Sequence, residues 1–204
     1  MELTVCDGVL TGGDCKDGVL RAPDEARVVG DGAFWGRMDL LRVLLHGDIM
    51  RVGDDAFGNC FALCRMQAED GLAEIGEGAF RDCLSLEKAD FPPSLRVLEA
   101  EAFAGCSALR EVSLPEGLTE IGDGAFRDCA ALERLRLPRS LRRIGEEAFL
   151  GCLSLPEVIL PDWVEEIGAR AFHGCDALRH ISVPAHLEGT VGNPGEDCTV
   201  SLRG

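Results

Sequence analysis

The sequence lacks the features that would assign it to a membrane or to the secretory pathway. No apolar run approaches the roughly 18 residues that a membrane-spanning helix needs, so we expect no membrane insertion. Residues 1–8 (MELTVCDG) contain no basic segment followed by an apolar one, and they therefore do not resemble a secretory signal. We expect a cytoplasmic protein, or a secreted or cell-surface protein if the sequence belongs to a longer exported chain.

Positive charge is also scarce. The 204 residues include 20 Lys and Arg against 36 Asp and Glu, for a net charge of −16. An acidic surface repels phosphate groups, so we expect binding neither to nucleic acid nor to anionic lipid. Hydrophobic residues make up 46% of the chain, which is enough for a folded core in one domain or one repeat array.

What the sequence does contain is a strict repeat, in which the same residue returns at every twenty-third position. Phenylalanine follows alanine at Phe34, Phe57, Phe80, Phe103, Phe126, Phe149 and Phe172. Cysteine keeps the same interval at Cys60, Cys83, Cys106, Cys129, Cys152, Cys175 and Cys198. This regularity is typical of a solenoid, in which each coil places the same side chain against its neighbour.

The cysteines are expected to be free, buried thiols. Cysteines in neighbouring coils would come within disulfide reach, but the repeat explains their positions without bridging. Three further cysteines, Cys6, Cys15 and Cys64, lie off the period, and Cys64 is expected to be the most exposed of them.

The coil at residues 103–125 shows a strand and its end. Val112 and Leu114 alternate with polar residues, which is strand periodicity, and Pro115 ends the strand because it cannot donate to a sheet. Other coils repeat this pattern. The inward side chains are thus expected to build a core beneath one parallel ladder.

The second half of this coil returns the chain to its start. Leu118 and Ile121 point back to the core, and Gly122 is expected in a backbone conformation closed to residues with a Cβ. Asp123-Gly124 then begins a short helical turn that carries Phe126.

The repeat resembles the BspA-like leucine-rich repeats. The resemblance rests on Ile-Gly-x-x-Ala-Phe-x-x-Cys-x-x-Leu at 121–132 and 144–155, joined to Val/Leu-x-Leu-Pro, and it covers about residues 22–190. Members of that family are mostly adhesins and interaction modules with varied ligands. Because their ligand residues follow no fixed motif, no site residue is carried over.

We therefore predict an α/β repeat solenoid: a right-handed array of about seven coils with a parallel β-sheet on one face. Residues 1–21 are expected to form an N-terminal cap, 22–191 the repeats and 192–204 a C-terminal cap. Solenoid ends need caps to cover the core and the open strand edges.

The outward side chains of the strands form the candidate protein-binding surface. Basic residues outnumber acidic ones there, the reverse of the whole chain. The candidate residues are Arg42, Leu44, Arg65, Lys88, Arg110, Arg134, Arg136, Ile159 and His180. The alternative is cross-strand charge pairing, with Lys88 beside Glu111 beside Arg134, that only stabilises the ladder.

Other kinds of site are disfavoured. The acidic connecting segments contain no Asp-x-Asp-x-Asp-Gly calcium loop, and Cys60 and Cys64 have no second ligand pair for zinc. His180 lies five coils from Cys64 and two residues from Ser182, with no third group to orient it as a base. We expect no metal, no cofactor and no catalysis.

Protein recognition through the strand surface is the predicted function. Two alternatives remain open: a scaffold, spacer or self-associating repeat, and a fragment of a cell-surface adhesin. Trp35 and Trp163 are expected at the edge of the packing rather than as contact hot spots.

Overall fold

A computed structural model of the chain describes residues 3–191 and 197–203. It is a β-solenoid of about eight coils of roughly 23 residues, one coil more than the sequence suggested. The only helix in the described ranges is the three-residue 3₁₀-helix Ala185–Leu187, so no helix there is long enough to cross a membrane. The predicted helical turns are single turns, with the Ala125 N–H donating to the Gly122 carbonyl at 3.2 Å.

Two families of strands alternate along the chain. In chain order they are β1 (Thr4–Cys6), β2 (Val9–Gly12), β3 (Val19–Arg21), β4 (Val28–Val29), β5 (Arg42–Leu45), β6 (Arg51–Val52), β7 (Arg65–Ala68), β8 (Glu74–Ile75), β9 (Lys88–Asp90), β10 (Val97–Leu98), β11 (Glu111–Ser113), β12 (Glu120–Ile121), β13 (Arg134–Arg136), β14 (Arg143–Ile144), β15 (Glu157–Ile159), β16 (Glu166–Ile167), β17 (His180–Pro184) and β18 (Thr199–Arg203).

The first family is the predicted parallel ladder. It runs β3-β5-β7-β9, then β11-β13, then β15-β17-β18, with gaps after β9 and β13. Register follows the sequence period, so that Arg42 pairs with Arg65 and Arg65 with Lys88. Strand β3 already belongs to this ladder, although residues 1–21 were assigned to a cap; the cap boundaries themselves stay a prediction.

The second family is a ladder that the sequence did not predict, and its strands after β2 have two residues each. It runs β2-β4-β6-β8-β10 and then β12-β14-β16, and strand β1 joins β2 as an antiparallel hairpin. Ile121, which was interpreted only as a core residue turning the chain, is the second residue of β12 and pairs with Ile144. A two-residue strand shows no alternation, so its sequence carries no periodic signal.

The phenylalanine column is a stacked spine, as the period predicted. Neighbouring ring centroids lie 5.0–5.7 Å apart with interplanar angles of 2–14°. All seven side chains are buried. An eighth ring, Phe91, meets Phe103 edge-on at 5.3 Å.

The cysteine column owes its position to a hydrogen bond between coils. Each thiol from Cys60 to Cys175 donates to the carbonyl of the phenylalanine in the preceding coil, at 3.1–3.4 Å. These six cysteines are buried, and all ten cysteines are free, as expected. Burial raises the pKa of Cys60 to about 11 and that of Cys175 to about 12, so both thiols stay protonated at neutral pH.

Three details of the sequence interpretation were wrong. Cys198 does not continue the column, because β18 pairs Thr199 with His180, where the period would place Arg203. Cys6, not Cys64, is the exposed thiol off the period, since the Cys64 thiol donates to the Leu41 carbonyl at 3.1 Å.

The third concerns glycine. Gly122 does not have a positive φ; that conformation belongs to Gly124, at 60°. Gly122 is required instead by close packing, because a Cβ there would lie 2.4 Å from the carbonyl carbon of Glu99 in the preceding coil.

An ion-pair ladder joins the coils at the turns before the phenylalanines. Arg81 contacts Asp55 at 3.0 Å and Glu101 at 2.9 Å, one carboxylate in the coil before it and one in the coil after it. Arg127 continues the ladder from Glu101 at 2.7 Å to Glu147 at 3.6 Å. The acidic connecting segments are therefore partly neutralised by arginines placed two coils apart.

Candidate functional site

The predicted protein-binding residues lie where the period placed them, on or beside the first ladder, and their exposed side chains form what we call the strand surface. Arg42, Lys88, Arg134, Arg136 and Ile159 are exposed members of strands β5, β9, β13 and β15. Arg110 is exposed just before β11, while Leu44, Arg65 and His180 are half-buried.

In the C-terminal half of the strand surface, the charges pair with one another. Arg134 contacts Glu111 on the neighbouring strand at 3.1 Å and Glu133 beside it at 3.8 Å. Arg110 lies 4.0 Å from Glu133. Here the arrangement matches the alternative interpretation, in which cross-strand pairs stabilise the ladder.

The candidate histidine is held in the same region by its neighbours. His180 Nε2 lies 3.2 Å from Ser201 Oγ of β18, and Ser182 is buried. Cys64 sits on the other half of the array, beside β7, with its thiol bonded to Leu41. Thus neither Cys64 nor Ser182 forms a nucleophile–base pair with His180 in the described structure.

In the N-terminal half, Arg42, Arg65 and Lys88 form a continuous basic column. Arg65 and Lys88 share one carboxylate, Asp90, at 3.0 and 3.1 Å. Arg42 makes no ion pair with any residue in the described ranges, and the Nε of Arg65 has no hydrogen-bond partner there. The expected pair between Lys88 and Glu111 does not form, because Lys88 turns to Asp90. The basic column therefore keeps uncompensated positive charge.

A groove separates the two halves where the first ladder is interrupted. It encloses about 460 Å³ between β9 and β11, and it is lined by Glu87, Lys88, Ala89, Asp90, Arg110, Glu111, Ser113 and Arg134. Ala89 occupies the position that Met66 and Val112 hold in the neighbouring coils. Because the alanine side chain is the smallest of the three, the core is narrower at β9. Both acidic and basic side chains line this groove.

A second groove lies at the ends of β13 and β15, beside the other interruption of the first ladder. It encloses about 410 Å³ beside Ile159 and Trp163, which are 59% and 67% exposed. Arg142 lies 5.7 Å from the Trp163 ring centroid. Trp163 is thus an exposed aromatic on a connection rather than part of the core.

Sequence reasoning missed a column of exposed apolar side chains at the turns after the cysteine positions. Met38 is 62% exposed, Phe61 37% and Leu84 45%; these three form what we call the apolar turn column. They stand one full period apart, each at the fourth position after a spine phenylalanine, so the period could have revealed them. They were missed because only strand residues were considered as candidates for binding.

Along each coil, the apolar turn column precedes the basic column by four residues. In the first of these coils the exposed Leu41 stands between the two in the sequence, and its side chain covers Gly18, where a Cβ would lie 2.7 Å from the Leu41 Cγ. Three successive coils therefore each carry an exposed apolar side chain four residues before a basic one.

No group of three or more His, Cys, Asp or Glu side chains that could hold a metal ion occurs among residues 3–191 and 197–203. The described residues instead provide the features of a contact surface, namely ion pairs, exposed apolar side chains and grooves open to solvent.

Comparison with known families identifies the repeat. The sequence profile of the BspA-type leucine-rich repeat region matches residues 27–155 and 119–193, with six copies. The chain belongs to the BspA-type leucine-rich repeat family. No curated protein matches it.

Solved structures of other leucine-rich repeat proteins share this architecture. The leucine-rich repeat protein of T. pallidum is 34% identical, with a TM-score of 0.79, over 94% of this chain and 91% of that one. A leucine-rich cell surface protein from Faecalibacterium prausnitzii is 29% identical, with a TM-score of 0.74, over 88% of this chain. The chain spans about half, 51%, of the F. prausnitzii protein. A Bacteroides ovatus repeat protein shares the fold at 20% identity, with a TM-score of 0.68, over 99% of this chain and 74% of that one.

Proposed function

We propose that this BspA-type repeat array is a noncatalytic recognition module that binds a protein partner through its strand surface. The observation that carries the proposal is the basic column: Arg42 lacks an ion pair within the described residues, and Arg65 and Lys88 share Asp90, on a chain of net charge −16. A patch of opposite sign steers and orients an acidic partner.

The construction of the array supports this role. Stacked rings at 5.0–5.7 Å and thiol-to-carbonyl bonds of 3.1–3.4 Å fix each coil against the next. A surface held this firmly loses little conformational entropy when a partner docks, so more of the contact energy appears as affinity.

The partner is a protein rather than a nucleic acid or a lipid surface. The basic column is short, and the connecting segments elsewhere on the array are acidic, with Asp54, Asp123 and Glu146 among their residues. Polyanions carry charge over a long stretch and would meet this acidic body, whereas a protein segment can match a patch a few coils long.

Affinity capture with matched variants tests the proposal. The immobilised protein is exposed to extracts of the organism that encodes it, beside the charge reversal Arg42→Glu/Arg65→Glu/Lys88→Glu. The control, Arg27→Glu/Arg96→Glu/Arg170→Glu, makes the same change in net charge at turns away from the strand surface. We expect the captured partner to bind the control variant as tightly as it binds the wild type. It should bind the charge-reversal variant at least about tenfold more weakly, because several charge contacts are lost.

The affinity of the captured and purified partner is then measured at rising salt. Binding should weaken with ionic strength for the wild type and change less for the reversal variant. A partner that binds both variants equally, or the absence of any partner, contradicts the proposal.

A surface location is a second proposal, and it rests on the F. prausnitzii structure, which is described as a cell surface protein. If this chain acts there, as an adhesin does, the native protein should be cleaved when intact cells are treated with protease. Protection equal to that of a cytoplasmic marker would contradict it.

A further inference from the structure

The apolar turn column and the basic column end at the same coil. After Met38, Phe61 and Leu84, the next coils carry Ser107 and Ala130 at that position. The basic column likewise changes sign, from Lys88 to Glu111. Both series are thus first interrupted at the same coil, after three successive members each, and these three coils bound one strip.

We propose that this strip is a docking site for an amphipathic α-helix of the partner protein, lying along the solenoid axis. Its apolar side chains would contact the apolar turn column, and its carboxylates would pair with the basic column. This inference rests on the proposed function and adds the class of partner segment that the surface takes.

The repeat distance favours a helix. The basic column lies on neighbouring hydrogen-bonded strands, so the array advances about 4.7–4.9 Å per coil there. An α-helix advances about 5.4 Å per turn, so residues spaced i, i+3 or i+4, and i+7 stay within about 1–1.5 Å of successive coils over this length. An extended segment repeats on one face every ~6.6–6.8 Å and would fall out of register within three coils.

The width of the strip also suits one helix. Arg42 is the fourth residue after Met38, and Arg65 is likewise the fourth after Phe61. The Cα atoms of the two columns can therefore be at most about 14 Å apart in each coil. A helix with its side chains is about 10–12 Å wide and can reach both columns at once.

The strip has a direction, because its two ends differ. At the first coil the side chain between the columns is Leu41, whereas at the third coil it is the exposed Glu87. A helix that fits should carry a neutral side chain at the Leu41 end and a basic one at the Glu87 end. Three coils correspond to three helical turns, or about eleven residues.

Selection from a displayed library of random 14-residue peptides tests the inference without knowledge of the native partner. The target is the full chain, and enriched peptides are synthesised for affinity measurement. We expect apolar residues at i, i+3 or i+4, and i+7 with acidic residues on one flank. Isotope-labelled peptides should show helical chemical shifts when bound.

Variants then locate the bound peptides. Met38→Ser/Phe61→Ser/Leu84→Ser and the basic-column reversal should each lower affinity at least tenfold. Leu153→Ser is the matched control, because Leu153 is 47% exposed at the same repeat position but stands outside the strip. Unchanged thermal unfolding of each variant shows that it is folded, and the charge reversal leaves the apolar side chains intact.

The outcomes separate this inference from the broader function. Peptides that respond to the basic-column reversal but not to Met38→Ser/Phe61→Ser/Leu84→Ser overturn the helix site and leave recognition through the strand surface standing. Peptides with alternating apolar residues and extended chemical shifts also overturn the helix. A library that yields no binder sensitive to any of these variants counts against both proposals.

Discussion

At the scale of single residues, the stability of the array depends on how many rings each phenylalanine touches. Phe103 stacks on Phe80 and Phe126 and meets Phe91 edge-on, whereas Phe34 has the single aromatic neighbour Phe57. Both side chains are buried, so they differ in ring contacts more than in burial. Each aromatic pair contributes about 0.5–1.5 kcal/mol beyond the area it buries.

Phe103→Leu should therefore destabilise the protein more than Phe34→Leu, by about 1–3 kcal/mol, because it removes two more aromatic pairs. Urea unfolding of the two variants and the wild type measures the difference. Equal losses would mean that burial alone, and not ring stacking, sets the cost.

Thiol chemistry gives a second prediction at this scale. Cys6 is exposed, whereas the six column thiols are buried and bonded to carbonyls. Because burial raises the pKa of Cys60 to about 11 and of Cys175 to about 12, few of these groups ionise at pH 8, and the thiolate is the reactive form.

A thiol-specific reagent at pH 8 should therefore label Cys6 first, and the column cysteines only as fast as the protein unfolds. Peptide mass spectrometry after timed labelling identifies the sites. Rapid labelling of Cys106 or Cys129 in the folded protein would contradict the buried column.

At the scale of elements, Arg81 and Arg127 of the ion-pair ladder each link their own coil to the coil before it and the coil after it. Glu101 accepts from both Arg81 and Arg127, at 2.9 and 2.7 Å, and its side chain is 27% exposed. The hydrogen bond from Arg81, with the nearby guanidinium of Arg127, lowers the pKa of Glu101. The carboxylate thus stabilises the fold above its ordinary pKa of 4.5, and this stabilisation is lost as the pH falls through the lower, folded-state pKa.

Glu101→Gln should cost about 1 kcal/mol at pH 7 and should flatten the fall in stability below about pH 4.5. Glu146→Gln is the control, because it removes the same charge at a site with no ion pair among the described residues. Denaturant unfolding from pH 3 to pH 7 provides the measurement. If both variants give the same pH profile, the ladder does not stabilise the coils.

The elements also show what could be predicted from the sequence. Phe34, Cys60 and their successors repeat at one interval, and identical packing in each coil is the physical cause of that interval. Strand β12 has two residues and therefore no alternation to detect. Cys198 keeps the interval in the sequence, but β18 closes on β17 before a full period is complete and moves it out of the column. Arg42 and Lys88 lie on the predicted strands, but rotamers and not spacing decide that Lys88 meets Asp90 and that Arg42 meets no carboxylate among the described residues.

At the scale of the whole molecule, the array has one junction that differs from the rest. Within residues 3–191, β9 does not pair with β11, and β10 does not pair with β12, so both ladders stop between the fourth and fifth coils. Side chains and turns hold this junction: Phe103 packs on Phe80 at 5.0 Å and on Phe91 at 5.3 Å, and Arg81 contacts Glu101. The N–H groups of Phe80 and Asp82 also donate to the carbonyls of Ala102 and Ala104 at 2.8 and 2.7 Å. The proposed helix site lies wholly on the N-terminal side.

Stability in a repeat array is close to a sum of coil and interface terms, so the weakest interface opens first. We therefore expect amides of β9 and β11 to exchange hydrogen faster than those of β5 and β7, which pair along their whole length. Phe91→Leu should widen this difference by removing the edge contact at the junction, whereas Phe149→Leu should loosen the array elsewhere. Hydrogen exchange followed by mass spectrometry resolves these segments. Uniform protection from β5 to β13 would show that side-chain packing couples the two halves as tightly as the strand ladders do.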